Sequence, residues 1–154
     1  MGQIQDVFAK AAKAELWAGN LITGRSDSGN KLENRTPIDN SLIGYIADGE
    51  AADIDAAVAV ARSTFNSGEW SDLSPAERKA VMQRWAKLME DNIEELAALD
   101  CIDAGKPISE CLNTDLPATI ETFHWYAEAA DKVFGKVAPT GSSALGLVVE
   151  EAIG

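Results

Sequence analysis

Residues 74–107, "SPAERKAVMQRWAKLMEDNIEELAALDCIDAGKP", carry their own start and stop signals for helix. Ser74 offers a hydroxyl to the first free backbone N–H groups. Pro75 suits the first helical position, and Glu77 stands where its carboxylate reaches back to the Ser74 N–H. At the far end, Gly105 takes the left-handed conformation that closes a helix, and Pro107 cannot continue one. Lys106 complements the negative helix end. In between, Val81, Trp85, Leu88, Ile93, Leu96 and Leu99 recur at helical spacing. Asp91 and Asn92 favour caps over helix interiors, so a bend is expected there. A chain built around this span is committed to a helical body.

The flanking segments extend that body in different ways. "DLPATIETFHWYAEAADKVFG" places Leu116, Ile120, Phe123, Ala127, Ala130 and Phe134 at spacings of four, three, four, three and four. This predicts a long helix from about Asp115 to Gly135 with one buried stripe. "DIDAAVAVARSTFNSG" puts Ile54, Ala57, Val58, Ala61 and Phe65 on one helical face, with Gly68 beyond its end. "QDVFAKAAKA" reads as a short helix. "ELWAGNLITGRSDSGNKLENRTP" is dense in hairpin and turn residues and closes at Pro37. A strand follows over Leu42–Ala47, ended by Asp48 and Gly49. The tail "KVAPTGSSALGLVVEEAIG" alternates Leu145, Leu147 and Val149 as a strand does. The expected fold class is α+β and mostly helical: an N-terminal hairpin and strands, four to five helices, then an edge strand.

Size and charge narrow the function. The 154 residues suffice for one domain. Thirteen Lys and Arg against 25 Asp and Glu give a net charge of −12, which repels nucleic acid and anionic membrane. No apolar run approaches the ~20 residues of a membrane span. The first residues hold no signal-peptide core, so a cytoplasmic protein is expected. Cys101 and Cys111 are ten residues apart and form no CxxC pair. They are expected to be reduced, and the single His124 leaves no obvious partner for a zinc site.

The Gly105-Lys106 pair invites a phosphate-loop reading, which fails. Pro107 stands where Ser or Thr must hold magnesium, no glycine lies five residues before Gly105, and a helix precedes it where that motif needs a strand. The dinucleotide fingerprint GxGxxG is absent. A Cys–His nucleophile pair is recognised by geometry and not by sequence. His124, between Phe123 and Ala127, reads as a partly exposed helix histidine. Taken alone, the residues describe a helical domain without visible catalytic machinery.

Several motifs in fixed order go further. "SGEWSDLSPAERKAVMQRWAKLMEDNIEELAALDCIDAGKPISE" followed by "DLPATIETFHWYAEAADKVFGKVAPT" resembles the N-terminal region of the NAD(P)-dependent aldehyde dehydrogenase superfamily. A hairpin over residues 16–21, the turn at Pro37 and "VVEEAIG" at the end extend the resemblance along the chain. "HWYAEAADKVFGKVA" resembles the enzymes of polyamine breakdown that oxidise aminoaldehydes such as γ-glutamyl-γ-aminobutyraldehyde. Glu150 and Ala152 depart from the family's usual Arg and Pro.

The resemblance implies a partial α/β aldehyde dehydrogenase fold, without the Rossmann core and catalytic domain. Residues 1–136 would be the first part of the cofactor-binding domain, and 137–154 a linker and a strand of the oligomerisation sheet. The family's nucleophilic Cys, general-base Glu and cofactor motifs occur later in its sequence, so no residue here is assigned as catalytic or cofactor-binding. NAD(P) is expected to serve the parent enzyme and not to bind this chain alone. Asp103, with backbone carbonyls at Asn34 and Arg35, corresponds to a site for a monovalent cation, Na or K. An Arg35 guanidinium turned inward would disfavour that cation. Thr114, Asp115 and Ala118 match the mouth of the substrate tunnel, where an Asp attracts an amine; Asp115 or Thr114 would equally serve as a helix cap. The expected partner is a second copy or a C-terminal aldehyde dehydrogenase segment. The alternative is a standalone, non-catalytic interaction module or one subunit of a split enzyme.

Overall fold

The computed structural model describes residues 20–21, 25–26 and 29–154. The helix expected from "QDVFAKAAKA" and most of the hairpin at 16–21 lie outside them. Strands β1 (Asn20–Leu21) and β2 (Arg25–Ser26) pair antiparallel. So do β3 (Lys31–Arg35) and β4 (Leu42–Ala47), with a bulge between Asn34 and Arg35. The turn between them is held by the Thr36 N–H on the Ser41 carbonyl (3.0 Å) and the Asn40 N–H on the Thr36 carbonyl (2.9 Å). Asn40 takes a positive φ of 63°, a conformation that Asn tolerates better than most residues.

Helix α1 spans Ala51–Ser67 and ends on Gly68 at φ 76°. Its first turn closes when the Glu50 N–H donates to Asp53 Oδ2 at 2.8 Å, a capping box with Glu in place of Ser or Thr. The face expected to be buried is not: Ile54 and Val58 are 61% and 63% exposed. Ala57 and Phe65 on the same face are half-buried, Phe65 beneath the Arg62 guanidinium.

The 74–107 span folds as its signals dictate. Helix α2 (Pro75–Asp91) starts with Ser74 Oγ accepting from the Glu77 N–H, while the Ser74 N–H donates to Glu77 Oε2 at 2.8 Å. The break falls at Asn92, and α3 runs over Ile93–Ala104. Gly105 closes α3 at φ 70°, its N–H on the Cys101 carbonyl.

The long helix begins earlier than expected. A short α4 (Ile108–Glu110) leads into a π turn (Cys111–Asp115) and on into α5 (Leu116–Ala129). Pro117 explains the wide turn: it has no N–H for the helical ladder and its ring crowds the turn before it. The Leu116 N–H reaches back five residues to the Cys111 carbonyl. Asp115 therefore lies inside a continuous helix and makes no cap bond. The far end also differs, since α5 stops at Ala129 and not at Gly135.

Helices α2 and α5 lie together. The Trp85 and Phe123 rings are 4.7 Å apart, Lys79 pairs with Glu128 at 2.7 Å, and His124 Nε2 lies 3.2 Å from Glu90 Oε1. Ile120 and Ala127 are buried as the stripe requires, whereas Trp85 and Leu88 stay exposed and Ala86 is buried instead. The buried apolar set is small-residue-rich: Ala86, Ala97, Ala98, Cys101, Cys111, Ile120 and Ala127.

The expected edge strand is shorter than its sequence pattern and has a partner. Strand β6 (Gly146–Val148) pairs antiparallel with β5 (Lys136–Ala138). The boundary expected between 136 and 137 thus falls inside β5. A Cβ on Gly135 would meet the Val148 carbonyl oxygen at 2.6 Å, so the close approach needs glycine.

Candidate functional site

The C-terminal end of α3 meets two other parts of the chain. On one side stands the β3–β4 turn. The Asn34 amide donates to Asp103 Oδ1 at 2.7 Å. A Cβ on Gly105 would lie 2.7 Å from Pro37 Cγ, which shows how closely the turn seats on the helix end. The Asn34/Arg35 bulge re-aims the strand at this point. Asn34 and Asp103 are thus brought together across 69 residues. The Arg35 side chain goes elsewhere: its guanidinium binds Glu33 Oε2 at 2.8 Å and the Asn40 carbonyl at 3.0 Å. Its charge is spent locally, and the Asp103 carboxylate faces an amide and the negative end of a helix. Carboxylate and carbonyl oxygens are the donor types that suit a hard cation, and the contact the structure places on Asp103 is the Asn34 amide.

On the other side stands the π turn. Thr114 and Ala118 are exposed one turn apart, and the Thr114 hydroxyl lies 3.4 Å from Glu110 Oε2. Asp115 is half-buried and its Oδ2 accepts from Lys106 Nζ at 2.7 Å. Lys106 also lies 4.0 Å from Asp100 Oδ2. The Asp115 hydrogen bond holds the Lys106 ammonium above its usual range. Lys106 is therefore more than a partner of the helix dipole; it bridges α3 and the π turn. Sequence reasoning missed this bridge because no periodic rule pairs residues across a proline turn.

Beneath the bridge are the two cysteines, both free and buried. Burial, then a hydrogen bond to Asp100, pushes the Cys111 thiol up to about 11. Burial also raises Cys101. Thiols held protonated at neutral pH make poor nucleophiles. His124 sits on α5 against Glu90, where it behaves as the partly exposed helix histidine expected of it.

The sequence and the fold of the chain are similar to those of one family. Residues 24–154 match the model described as the aldehyde dehydrogenase family. The chain is 45% identical over 126 residues to the aminoacetaldehyde dehydrogenase of Pseudomonas aeruginosa, a match that covers 82% of this chain and 25% of that enzyme. It is 46% identical over 123 residues to the NADP/NAD-dependent aldehyde dehydrogenase PuuC of Escherichia coli, covering 80% of this chain and 25% of the enzyme. The crystal structure of γ-glutamyl-γ-aminobutyraldehyde dehydrogenase from Burkholderia cenocepacia matches with a TM-score of 0.88 and 40% identity, over 94% of this chain and 30% of that one. The chain spans about a quarter of the length of the curated relatives it matches. By sequence and by fold, the chain belongs to the aldehyde dehydrogenase family.

Proposed function

We propose that this chain is the N-terminal part of an aldehyde dehydrogenase that oxidises an aminoaldehyde to a carboxylic acid with NAD(P)+. The observation that carries this reading is the pairing of high identity with short coverage: 45% and 46% identity to enzymes of which the match covers 25%. The substrate class draws support from the name of the first relative and from that of the Burkholderia structure. In this reading residues 1–136 supply outer helices of the cofactor domain, and 137–154 a strand for the oligomerisation sheet. NAD(P)+ would accept the hydride when bound to the complete enzyme. The cysteine that attacks the aldehyde and the glutamate that activates water belong to sequence outside this chain, which alone is inactive. Asp103, with the backbone carbonyls of Asn34 and Arg35, would hold a monovalent cation, while the Asn34 amide pins the β3–β4 turn to α3. Thr114, Asp115 and Ala118 would flank the substrate entrance.

A second reading, a non-catalytic module that docks on a family subunit, draws on the apolar β5–β6 ribbon. One experiment separates the two. The purified chain is mixed with a separately produced C-terminal segment of the E. coli relative, and reduced nicotinamide is followed with an aminoaldehyde. Turnover in the mixture and none from either part alone is the expected result. Turnover by the chain alone overturns the proposal, and a complex without turnover favours the docking module.

A further inference from the structure

The end of α3 and the π turn bring together a donor set of mixed chemistry. The carboxylates of Asp100 and Asp115 and the thiol of Cys111 present ligand atoms that all lie within 4.8 Å of one another. Cys111 is fully buried. Cys101, 5% exposed, packs in the same buried cluster, and among the described residues no hydrogen bond engages its thiol. Two carboxylates meet one ammonium, that of Lys106, and the last turn of α3 carries no basic residue. Once the Cys111 thiol gives up its proton, three anionic ligand groups at the negative end of α3 share the one Lys106 ammonium, a charge that a divalent cation would balance.

We propose that this cluster binds a thiophilic divalent cation of the zinc class. Cys111, Asp100 and Asp115 are its ligands, Cys101 is the adjoining thiol, and Lys106 is a built-in competitor. Zinc lies about 2.0–2.3 Å from its N, O and S ligands, so ligand atoms in a tetrahedral site stand about 3.5 Å apart. Side-chain rotations of about an ångström close the set. On binding, the Cys111 S–H bond breaks and its proton leaves to solvent while a metal–sulfur bond forms. The Lys106–Asp115 hydrogen bond is exchanged for a metal–carboxylate bond, and no electrons change hands. The site shares Asp115 with the proposed substrate entrance but does not depend on it. It is separate from the Asp103–Asn34 corner, whose all-oxygen donors suit a harder ion.

The test is a titration of the full chain with Co2+ alone, read by the cobalt–thiolate charge-transfer absorption. One equivalent should develop the band. Cys111→Ser should abolish it and weaken binding by at least about tenfold. Lys106→Met should tighten binding about tenfold, because a charge-assisted hydrogen bond no longer has to be broken. Cobalt held at Asp103 would give no such band. Should Cys111→Ser fail to fold by circular dichroism, Asp115→Asn takes its place and must weaken binding by about tenfold. A cobalt–sulfur band in neither the wild-type chain nor Lys106→Met overturns the proposal. So does a band that Cys111→Ser leaves unchanged, or an affinity that Asp115→Asn leaves unchanged.

Discussion

Ser74 and Glu77 show how far a single side chain can direct its surroundings. Ser74 Oγ accepts the Glu77 N–H, and the Glu77 carboxylate takes both the hydroxyl and the N–H of Ser74. Ser74→Ala should cost about 1 kcal/mol of stability in urea unfolding; an unchanged midpoint would show that α2 does not need its cap. The hydroxyl of Ser74, then its N–H, hold the Glu77 carboxyl below its ordinary 4.5. A carboxyl with a lowered folded pKa contributes stability above its unfolded pKa and loses it as pH falls through the folded one. Glu77→Gln should therefore flatten the acid limb of the stability profile below 4.5. Cys111 works in the opposite sense. Its thiol is raised from 9.0 to about 11, so its contribution is complete below 9.0 and is lost as pH rises towards 11. With a chelator present, Cys111→Ala should remove that alkaline loss, as seen by urea midpoints measured across the interval.

Elements here are set by short local signals, and their errors have local causes. The capping box, the break at Asn92 and the stop at Gly105 were legible because each is decided within four or five residues. The π turn was not. Pro117 after Asp115 fits a helix start as well as it fits a widened turn inside a longer helix, and only the seating of Ile108 and Leu112 against the α3 cluster selects the second. The pairing of β6 with β5 and the meeting of Asn34 with Asp103 are long-range facts that periodicity does not contain. Of the candidate site, Asp103, Asn34 and Asp115 were reached through family resemblance, while the Lys106 bridge and the thiols below it required coordinates. Gly105 gives the sharpest test at this scale. Ala there must hold φ near 70° and place its Cβ 2.7 Å from Pro37. Gly105→Ala should lower stability by about 2 kcal/mol in urea unfolding, combining left-handed strain with displacement of the turn. A shift under a few tenths would mean that the turn is not seated on α3.

At the scale of the whole molecule, the described residues leave many large apolar side chains exposed. Ile54 and Val58 on α1, Trp125 and Tyr126 on α5, and Val133 and Phe134 beyond it are all exposed. Val137 and Leu147 oppose one another across the β5–β6 ribbon and are both open to solvent. The buried set is mostly alanine and cysteine, so little transfer free energy is gained inside. An exposed two-stranded ribbon of this kind is a template for further strands. Under the proposed function, these faces are the ones that the rest of a family member, or a second copy, would cover. No described helix is long and apolar enough to cross a membrane, so a bilayer-spanning helix does not account for them.

Light scattering after size exclusion tests that account most directly. At micromolar concentration the chain alone should self-associate, and on addition of the C-terminal segment of a family relative it should resolve into one discrete complex. A clean monomer that ignores the added segment would contradict it.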